Sequence, residues 1–278
     1  MNTHARRASS FGAAAAAYAE HRPDYPAAAI AWAIEPVASR THRPLRIVDL
    51  GAGTGKLTAA LTGQGPAGQG PAGQGPAGQA TVIAVEPDPQ MLAELRKRAP
   101  GVTALAGRAE AIPLPSSSVD VVICGQAMHW FAPEIAMPEI ARVLTPGGVV
   151  AGLWNAMDDR VDWVAGLHAS SGRDNAASVS SFSQRDRGDD DGITSWLRAA
   201  GTLTFGAAEQ SQFPHGHART ADSLIETLRT HSMFLIMDPP EREAALGRVR
   251  AYLAATPQTA DGEFMLPMQT IALRAVRR

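Results

Sequence analysis

Leu45-Arg46-Ile47-Val48-Asp49-Leu50-Gly51-Ala52-Gly53-Thr54-Gly55 carries a largely apolar run into an acidic residue and then into three glycines at alternate positions. The run reads as a strand. Glycine adopts positive φ freely and leaves bare backbone open to a ligand. Lys56, Leu57, Ala59, Ala60 and Leu61 follow as a helix-like segment, so the turn lies where a nucleotide-like ligand meets a helix start. The spacing discriminates among such turns. A phosphate-gripping loop, G-x-x-x-x-G-K-[ST], needs glycine at position 50 and Ser or Thr at 57, but the chain has Leu50 and Leu57. A dinucleotide turn, G-x-G-x-x-G, needs glycine where Lys56 stands. What remains is G-x-G-x-G behind an Asp-ended strand, with a turn built only for tight packing as the alternative.

Dinucleotide-type sites place an acidic residue at the end of the second strand, about 20 residues past the first glycine, to accept hydrogen bonds from ribose hydroxyls. Glu86 is the candidate, closing Thr81-Val82-Ile83-Ala84-Val85-Glu86 at 35 positions after Gly51. Gly63 to Ala77 is GQGPA three times over, and setting those 15 residues aside leaves 20. The repeat is therefore an insertion in the loop between the first helix and the second strand. Its glycines lack the strict third-residue period of collagen, and Gly, Pro, Gln and Ala bury too little apolar surface to offset ordering. A flexible insertion over 63–79 is expected, at an entropic cost that grows only logarithmically with length. Beyond Glu86 and Pro87, Asp88 reads as a helix N-cap with Pro89 at the first helical position, and Lys97 and Arg98 close that helix. Met91 begins its apolar face, and packing in the core or on a bound ring both fit.

Strands and helices alternate from 45 to 154, which predicts a parallel sheet with helices on both faces. Ligands of such sheets bind beyond the carboxyl ends of the strands, at the switch point. Asp49, Glu86, Ala109 and Gln126 all fall at or just past a strand end. The chain also contains Gly107-Arg108-Ala109-Glu110-Ala111-Ile112-Pro113-Leu114, Val119-Asp120-Val121-Val122-Ile123-Cys124, Gly125-Gln126-Ala127-Met128-His129-Trp130-Phe131, and Thr145-Pro146-Gly147-Gly148 leading into Val149–Trp154. Together these resemble class I S-adenosylmethionine-dependent methyltransferases of the small-molecule branch that includes the ubiquinone/menaquinone-biosynthesis and trans-aconitate methyltransferases. The resemblance is strong over residues 11–155.

The resemblance implies an α/β fold, doubly wound, with a mostly parallel seven-stranded Rossmann-like sheet, helices on both faces and an antiparallel C-terminal strand. It implies a single domain over 1–278, comprising an N-terminal lid segment (11–40), a cofactor-binding core (41–155), and a substrate-side cap with closing strands (156–278). The cofactor would be S-adenosyl-L-methionine, the product S-adenosyl-L-homocysteine, and the acceptor a small molecule whose reacting atom (O, N or C) stays open. Asp49, Gly51, Ala52, Gly53 and Gly55 would surround the methionine and ribose portions. Glu86 would take the ribose hydroxyls, with Pro87 and Met91 beside it. Arg108, Ala109 and Glu110 would border the adenine, and Gln126 the methionine moiety. The family often has Asp at the position of Arg108. Arg accepts no hydrogen bond, so backbone, Glu110 or stacking would hold the adenine. Phe11 to Pro26, with Tyr18, Arg22, Pro23, Tyr25 and Pro26, resembles the family's entry motif. Arg22 would pair with the methionine carboxylate, with Tyr18 in the same covering segment; a surface helix stopped by proline is the other reading.

Composition narrows the classes. The 278 residues carry 25 basic and 27 acidic side chains, a net charge of −2, with no basic run, which argues against a nucleic-acid groove. The single Cys124 excludes an internal disulfide and reads as a core residue rather than a nucleophile. No apolar run approaches the ~18 residues of a membrane span, and the start lacks a signal-sequence pattern, so a cytoplasmic location is expected. His215-Gly216-His217 has no Cys or acidic cluster beside it, so no metal is expected. His129 is the candidate catalytic base, because it follows the fourth strand and its titration range suits proton transfer. The rival role for His129-Trp130-Phe131 is a pocket wall. Residues 155–192 read as a solvated loop or part of the cap, Thr220–Met237 and Glu241–Ala255 as helices parted by Asp238-Pro239-Pro240, and Phe264–Val276 as a closing strand. Two other functions remain: a catalytically silent S-adenosylmethionine-binding module, and a nicotinamide-dependent oxidoreductase, which Lys56 disfavours.

Overall fold

Strand β1 (Arg46–Leu50) has apolar side chains on both faces, and it lies inside a seven-stranded sheet, third from one edge. The computed structural model describes residues 23–63, 80–171, 204–229, 231, 234 and 237–278. All of the expected insertion (63–79) but Gly63, and the entry-motif residues Phe11, Tyr18 and Arg22, lie outside them. Helix α1 (Ala27–Ala38) precedes β1; helix α2 (Lys56–Leu61), strand β2 (Thr81–Glu86), helix α3 (Pro89–Arg98) and strand β3 (Thr103–Ala106) follow it. Then come β4 (Val119–Gly125), a single 3-10 turn (Met128–Trp130), α4 (Pro133–Val143) and β5 (Leu144–Met157). Helix α5 (Asp162–Ser170), β6 (Glu209–Arg219), α6 (Ala221–Arg229), α7 (Pro239–Ala255) and β7 (Phe264–Val276) complete the described elements.

The sheet order is β3-β2-β1-β4-β5-β7-β6. β1 pairs in parallel with β2 (Leu50 opposite Val85) and with β4 (Asp49 opposite Ile123), and β4 pairs in parallel with β5. The chain thus winds outward one way through β2 and β3 and the other way through β4 and β5. The switch point lies between β1 and β4, where a crevice opens beyond the strand ends. β7 returns antiparallel to β5: Gly147 N donates to Arg277 O, and Asp158 N donates to Pro267 O, both at 3.0 Å.

The described chain gathers into two compact units that part at Pro23/Asp24, Trp154/Asn155, Phe213/Pro214 and Gln269/Thr270. In the unit holding β1 to β4, successive strand residues alternate between two cores. Val122, Cys124, Val48 and Leu50 pack with Met137 and Ile140 of α4. Val121, Ile123 and Ile47 pack with Ile30, Ala33, Ile34 and Val37 of α1 and with Leu57 and Leu61 of α2. The α1 residues are the stripe expected from spacing. At the amino ends of β1 and β4, buried Asp120 accepts from Arg43 Nη1 and Nη2 at 2.8 and 2.7 Å and from Arg46 N at 2.9 Å. Burial raises its carboxyl, but the two guanidiniums outweigh that and hold it well below the ordinary carboxylate range. This pins the register of the two central strands.

The other unit has its own core of Val164, Leu167, Leu224, Ile225, Leu228, Leu246, Val249, Leu253 and Phe264. Three expectations change here. Within the stretch read as a solvated loop, Asp162–Ser170 is helical, because Val164 and Leu167 are buried and Trp163 stands edge-on to Phe264 at 5.8 Å. The helix expected to reach Met237 is described as far as Arg229 and is interrupted at His231, whose N turns back to Leu228 O at 3.0 Å, while residues 230, 232, 233, 235 and 236 lie outside the described residues. Pro239 and Pro240 open α7 rather than only separating helices, since proline suits the first helical positions. Among the described residues no helix is long and apolar enough to cross a membrane.

Ile47 is fully buried between β1 and α1. Ile47→Ala is expected to lower unfolding free energy by about 2–5 kcal/mol, read from the urea midpoint with an unchanged denaturant slope.

Candidate functional site

Gly51, Gly53 and Gly55 have φ of +70°, +57° and +83°, a region that L side chains rarely adopt. Their surroundings differ. A Cβ on Gly51 would stand 2.7 Å from Ala127 Cβ, and one on Gly55 2.9 Å from Leu95 Cγ. These two press the turn onto its neighbours. Around Gly53 no atom of the described residues lies within 4 Å of such a Cβ, so among them the middle of the turn is left open. Gly51 N and Ala52 N donate to Val85 O at 2.9 and 3.1 Å, and Gly55 N donates to Ala52 O at 2.9 Å. The Ala52 methyl packs with Ala84 and Leu95, so this residue serves the turn through its backbone.

Glu86 ends β2 beside this turn and is 7% exposed. Its Oε2 accepts from Gly53 N at 2.8 Å and its Oε1 from Asp88 N at 2.9 Å. Burial pushes the carboxyl above its ordinary value, while the two backbone N–H groups pull it back. Each oxygen keeps further accepting capacity. Asp88 caps α3 as expected, its Oδ1 accepting from Gln90 N and Met91 N at 2.8 and 3.0 Å. Met91 packs into the core and Pro87 is exposed.

Asp49 is fully buried on β1. Its Oδ2 accepts from Thr58 Oγ1 at 2.6 Å, while Oδ1 has no partner among the described residues. Burial pushes this carboxyl up to about 7, against the pull of the Thr58 hydroxyl and with a further push from the Glu86 charge. Thr54 Oγ1 in the turn is likewise buried without a partner. Buried polar atoms left this way are costly and call for a ligand or water.

At the end of β4, Gln126 holds φ +54°, uncommon for a residue with a side chain, and its N donates to Leu153 O at 2.8 Å. Ala127 and Phe131 close over Gly51. His129 is half-buried, its ring 4.8 Å from that of Trp130. Glu110 Oε1 accepts from Ala132 N at 2.8 Å, tying the loop after β3 to the start of α4. Arg108 is exposed and Ala109 is buried in the core. Burial, with the Asp49 charge added, pushes the Cys124 thiol well above its ordinary value, so it stays a neutral core residue.

Asp49, Gly51, Ala52, Gly53, Gly55 and Glu86 thus form one cluster, and the segment after Gln126 joins it through Ala127 and Phe131. Tyr18 and Arg22 lie outside the described residues. Four residues of the cluster's frame escaped the sequence analysis: Thr54, Thr58, Asp24 and Lys56. Lys56 Nζ lies 3.3 Å from Asp24 Oδ1, and Tyr25 is buried with its hydroxyl 2.5 Å from where a Cβ on Gly125 would stand. The signal for Thr58 was its place as third residue of α2; Lys56 was read as a helix start and as a missing glycine, not as an ion-pair partner. Among the described residues, no group of three or more His, Cys, Asp or Glu could hold a metal ion.

The family model for a methyltransferase domain matches residues 48–152. The chain is 38% identical over 269 residues to an uncharacterized methyltransferase of Mycobacterium tuberculosis, covering 96% of this chain and 95% of that protein. It is 30% identical over 251 residues to trans-aconitate 2-methyltransferase of Methylobacterium nodulans, covering 84% and 87%. A solved structure from Anaeromyxobacter dehalogenans, named as a type II methyltransferase, superposes with a TM-score of 0.61 at 25% identity, covering 92% of this chain and 97% of that one.

The raised Asp49 carboxyl has a consequence for stability. Between its ordinary value of 3.8 and about 7, the folded protein keeps a proton that the unfolded chain has lost, so stability falls as pH rises through this window. Thermal midpoints compared across that window should show wild type losing ground to Asp49→Asn as pH rises. A constant gap between the two would mean that Asp49 titrates normally.

Proposed function

The chain belongs to the class I S-adenosylmethionine-dependent methyltransferases, and from that premise we propose that the turn Gly51–Gly55 and Glu86 hold the methyl donor for transfer to a small molecule. The observation that carries the reading is the Glu86 carboxylate. It is fixed by Gly53 N and Asp88 N at the rim of an open glycine turn, with accepting capacity left for a sugar diol. A dinucleotide would make the same use of such a carboxylate, but Lys56 stands where its third glycine belongs.

When bound, S-adenosylmethionine supplies a methyl group on a sulfonium that is already a good leaving group. The protein's task is alignment of donor and acceptor and exclusion of water. The backbone at Gly53 gives close approach. The unpartnered Asp49 Oδ1 is a buried acceptor suited to a cationic ammonium, whose charge would favour the ionised carboxylate. Of the residues proposed to border the adenine, Glu110 has Oε1 committed to Ala132 N, so its other oxygen is the side-chain acceptor for an amino group. Gln126, in its strained conformation past β4, borders the methionine end.

For the acceptor, a carboxylate is the first class to test, because a relative 30% identical over most of both chains is named for trans-aconitate. A carboxylate needs no proton removed, so His129 would there act by packing with Trp130 and shaping the wall. A phenol or amine acceptor would instead call on a base.

Glu86→Ala should raise the Kd for S-adenosylhomocysteine at least about tenfold, since charge-assisted hydrogen bonds are lost. Calorimetric titration reads this directly, and an unchanged Kd overturns the proposed site. With trans-aconitate as the probe acceptor, His129→Ala should keep kcat/KM within about threefold, whereas a drop of 10²-fold or more would assign it general-base work. Donor binding with no turnover on any of a panel of small-molecule acceptors would favour the silent binding module.

A further inference from the structure

The turn's exit is held by a contact that the proposed donor site does not itself require. Lys56 directly follows Gly55, and its Nζ lies 3.3 Å from Asp24 Oδ1, with side chains only 14% and 21% exposed. The next residue, Tyr25, is 5% exposed and packs where a side chain on Gly125 would be, at the end of β4. The four-residue stretch Pro23-Asp24-Tyr25-Pro26 therefore touches both loops of the crevice: the glycine turn through Lys56 and the β4 end through Tyr25. Proline at both ends restricts this stretch, so little freedom is lost in holding Asp24 in place. A cation at the first position of a helix gains nothing from the helix itself. Lys56 is better accounted for by its carboxylate partner than by α2.

We propose that Asp24 and Lys56 are positioning residues for the methyl donor, their ion pair stapling the chain before α1 onto the exit of the glycine turn so that the turn is held in its binding conformation. This rests on the proposed donor site. Three positive-φ glycines make a turn with much freedom to lose. Its entry is fixed by Val85 O and its middle by Glu86. Beyond the Gly55-to-Ala52 backbone bond, Lys56 and Asp24 fix its end. Loosening that end lowers the fraction of molecules with a formed turn, and apparent affinity falls by the same fraction. At saturating donor, binding re-forms the turn, so the effect sits in KM rather than kcat.

The test uses the full chain. Kd for S-adenosylhomocysteine is measured by calorimetry, and donor KM and kcat by turnover, for Asp24→Asn, Lys56→Met, the two combined, and the reversed pair Asp24→Lys with Lys56→Asp. Each single variant should weaken binding roughly threefold to tenfold with kcat within about twofold. The combined variant should be no worse than either single one, and the reversed pair should recover most of the affinity. Asp222→Asn, which breaks an ion pair with Arg250 in the other unit, should leave Kd unchanged. Folded single variants with wild-type Kd, or losses that simply add, overturn the proposal. A loss of kcat with unchanged KM overturns it too. Failure of the wild type to bind S-adenosylhomocysteine would instead overturn the donor site itself, whereas binding by wild type and Asp24→Asn alike removes only the staple.

Discussion

The Glu86 carboxylate accepting from Gly53 N and Asp88 N joins the ends of two adjacent parallel strands. The turn after β1 has three residues at positive φ, and the chain after β2 leaves the sheet within a residue or two. The clasp works only in one register. Leu50 must face Val85 for Gly51 N and Ala52 N to reach Val85 O, and a slip by one residue would turn every β2 side chain to the other face. Asp120 with Arg43 and Arg46 secures the opposite ends of β1 and β4. The carboxyl ends of β1 and β2 are thus clasped by the Glu86 carboxylate and the amino ends of β1 and β4 by the Asp120 ion pairs, and the strands between are largely apolar.

Much of this frame was legible because its causes are local. The run into Asp49, the alternate glycines and the strand ending in Glu86 are short-range patterns. The long interval to Glu86 resolved once the repeat was recognised as inserted sequence. The α1 stripe of Ile30, Ala33, Ile34 and Val37, the Asp88 cap and the limits of β7 at Phe264 and Val276 likewise follow from spacing and capping. Each rests on interactions within a few residues or on a periodicity that one buried face imposes.

What escaped depends on partners far along the chain. α5 has only Val164 and Leu167 fully buried in a polar stretch, and its burial is created by α6, α7 and β7. β6 is nowhere strongly apolar, with exposed Gly216 between two half-exposed histidines, so no period-2 signal stood out. Thr58 and Lys56 were visible as residues but not as partners. A threonine in a helix more often bonds its own backbone, and a lysine after a glycine turn says nothing of a carboxylate 32 positions earlier. The adenine side shows the same limit. Glu110 was a free acceptor on paper, and one of its oxygens turns out to hold the start of α4.

Two carboxylates at one crevice are set to different tasks by their surroundings. Glu86 has two backbone donors that favour its charge, which suits a group meant to accept further hydrogen bonds. Asp49 has one hydroxyl donor, an unpartnered oxygen and full burial, and its carboxyl is displaced to about 7. Asp49 Oδ1 and the Thr54 hydroxyl are buried with no partner among the described residues, which costs stability at the turn. Such a cost persists only where the rest of the structure over-determines the geometry, and the buried strands on either side of β1 do so. For the proposed donor, a cation at Asp49 would relieve an unmade interaction, and a diol at Glu86 would add to a carboxylate already held in place. In the proposed site, discrimination against a dinucleotide would come from the same turn, because the Lys56 side chain stands where the third glycine of a dinucleotide turn lets the helix pack closely on the strand.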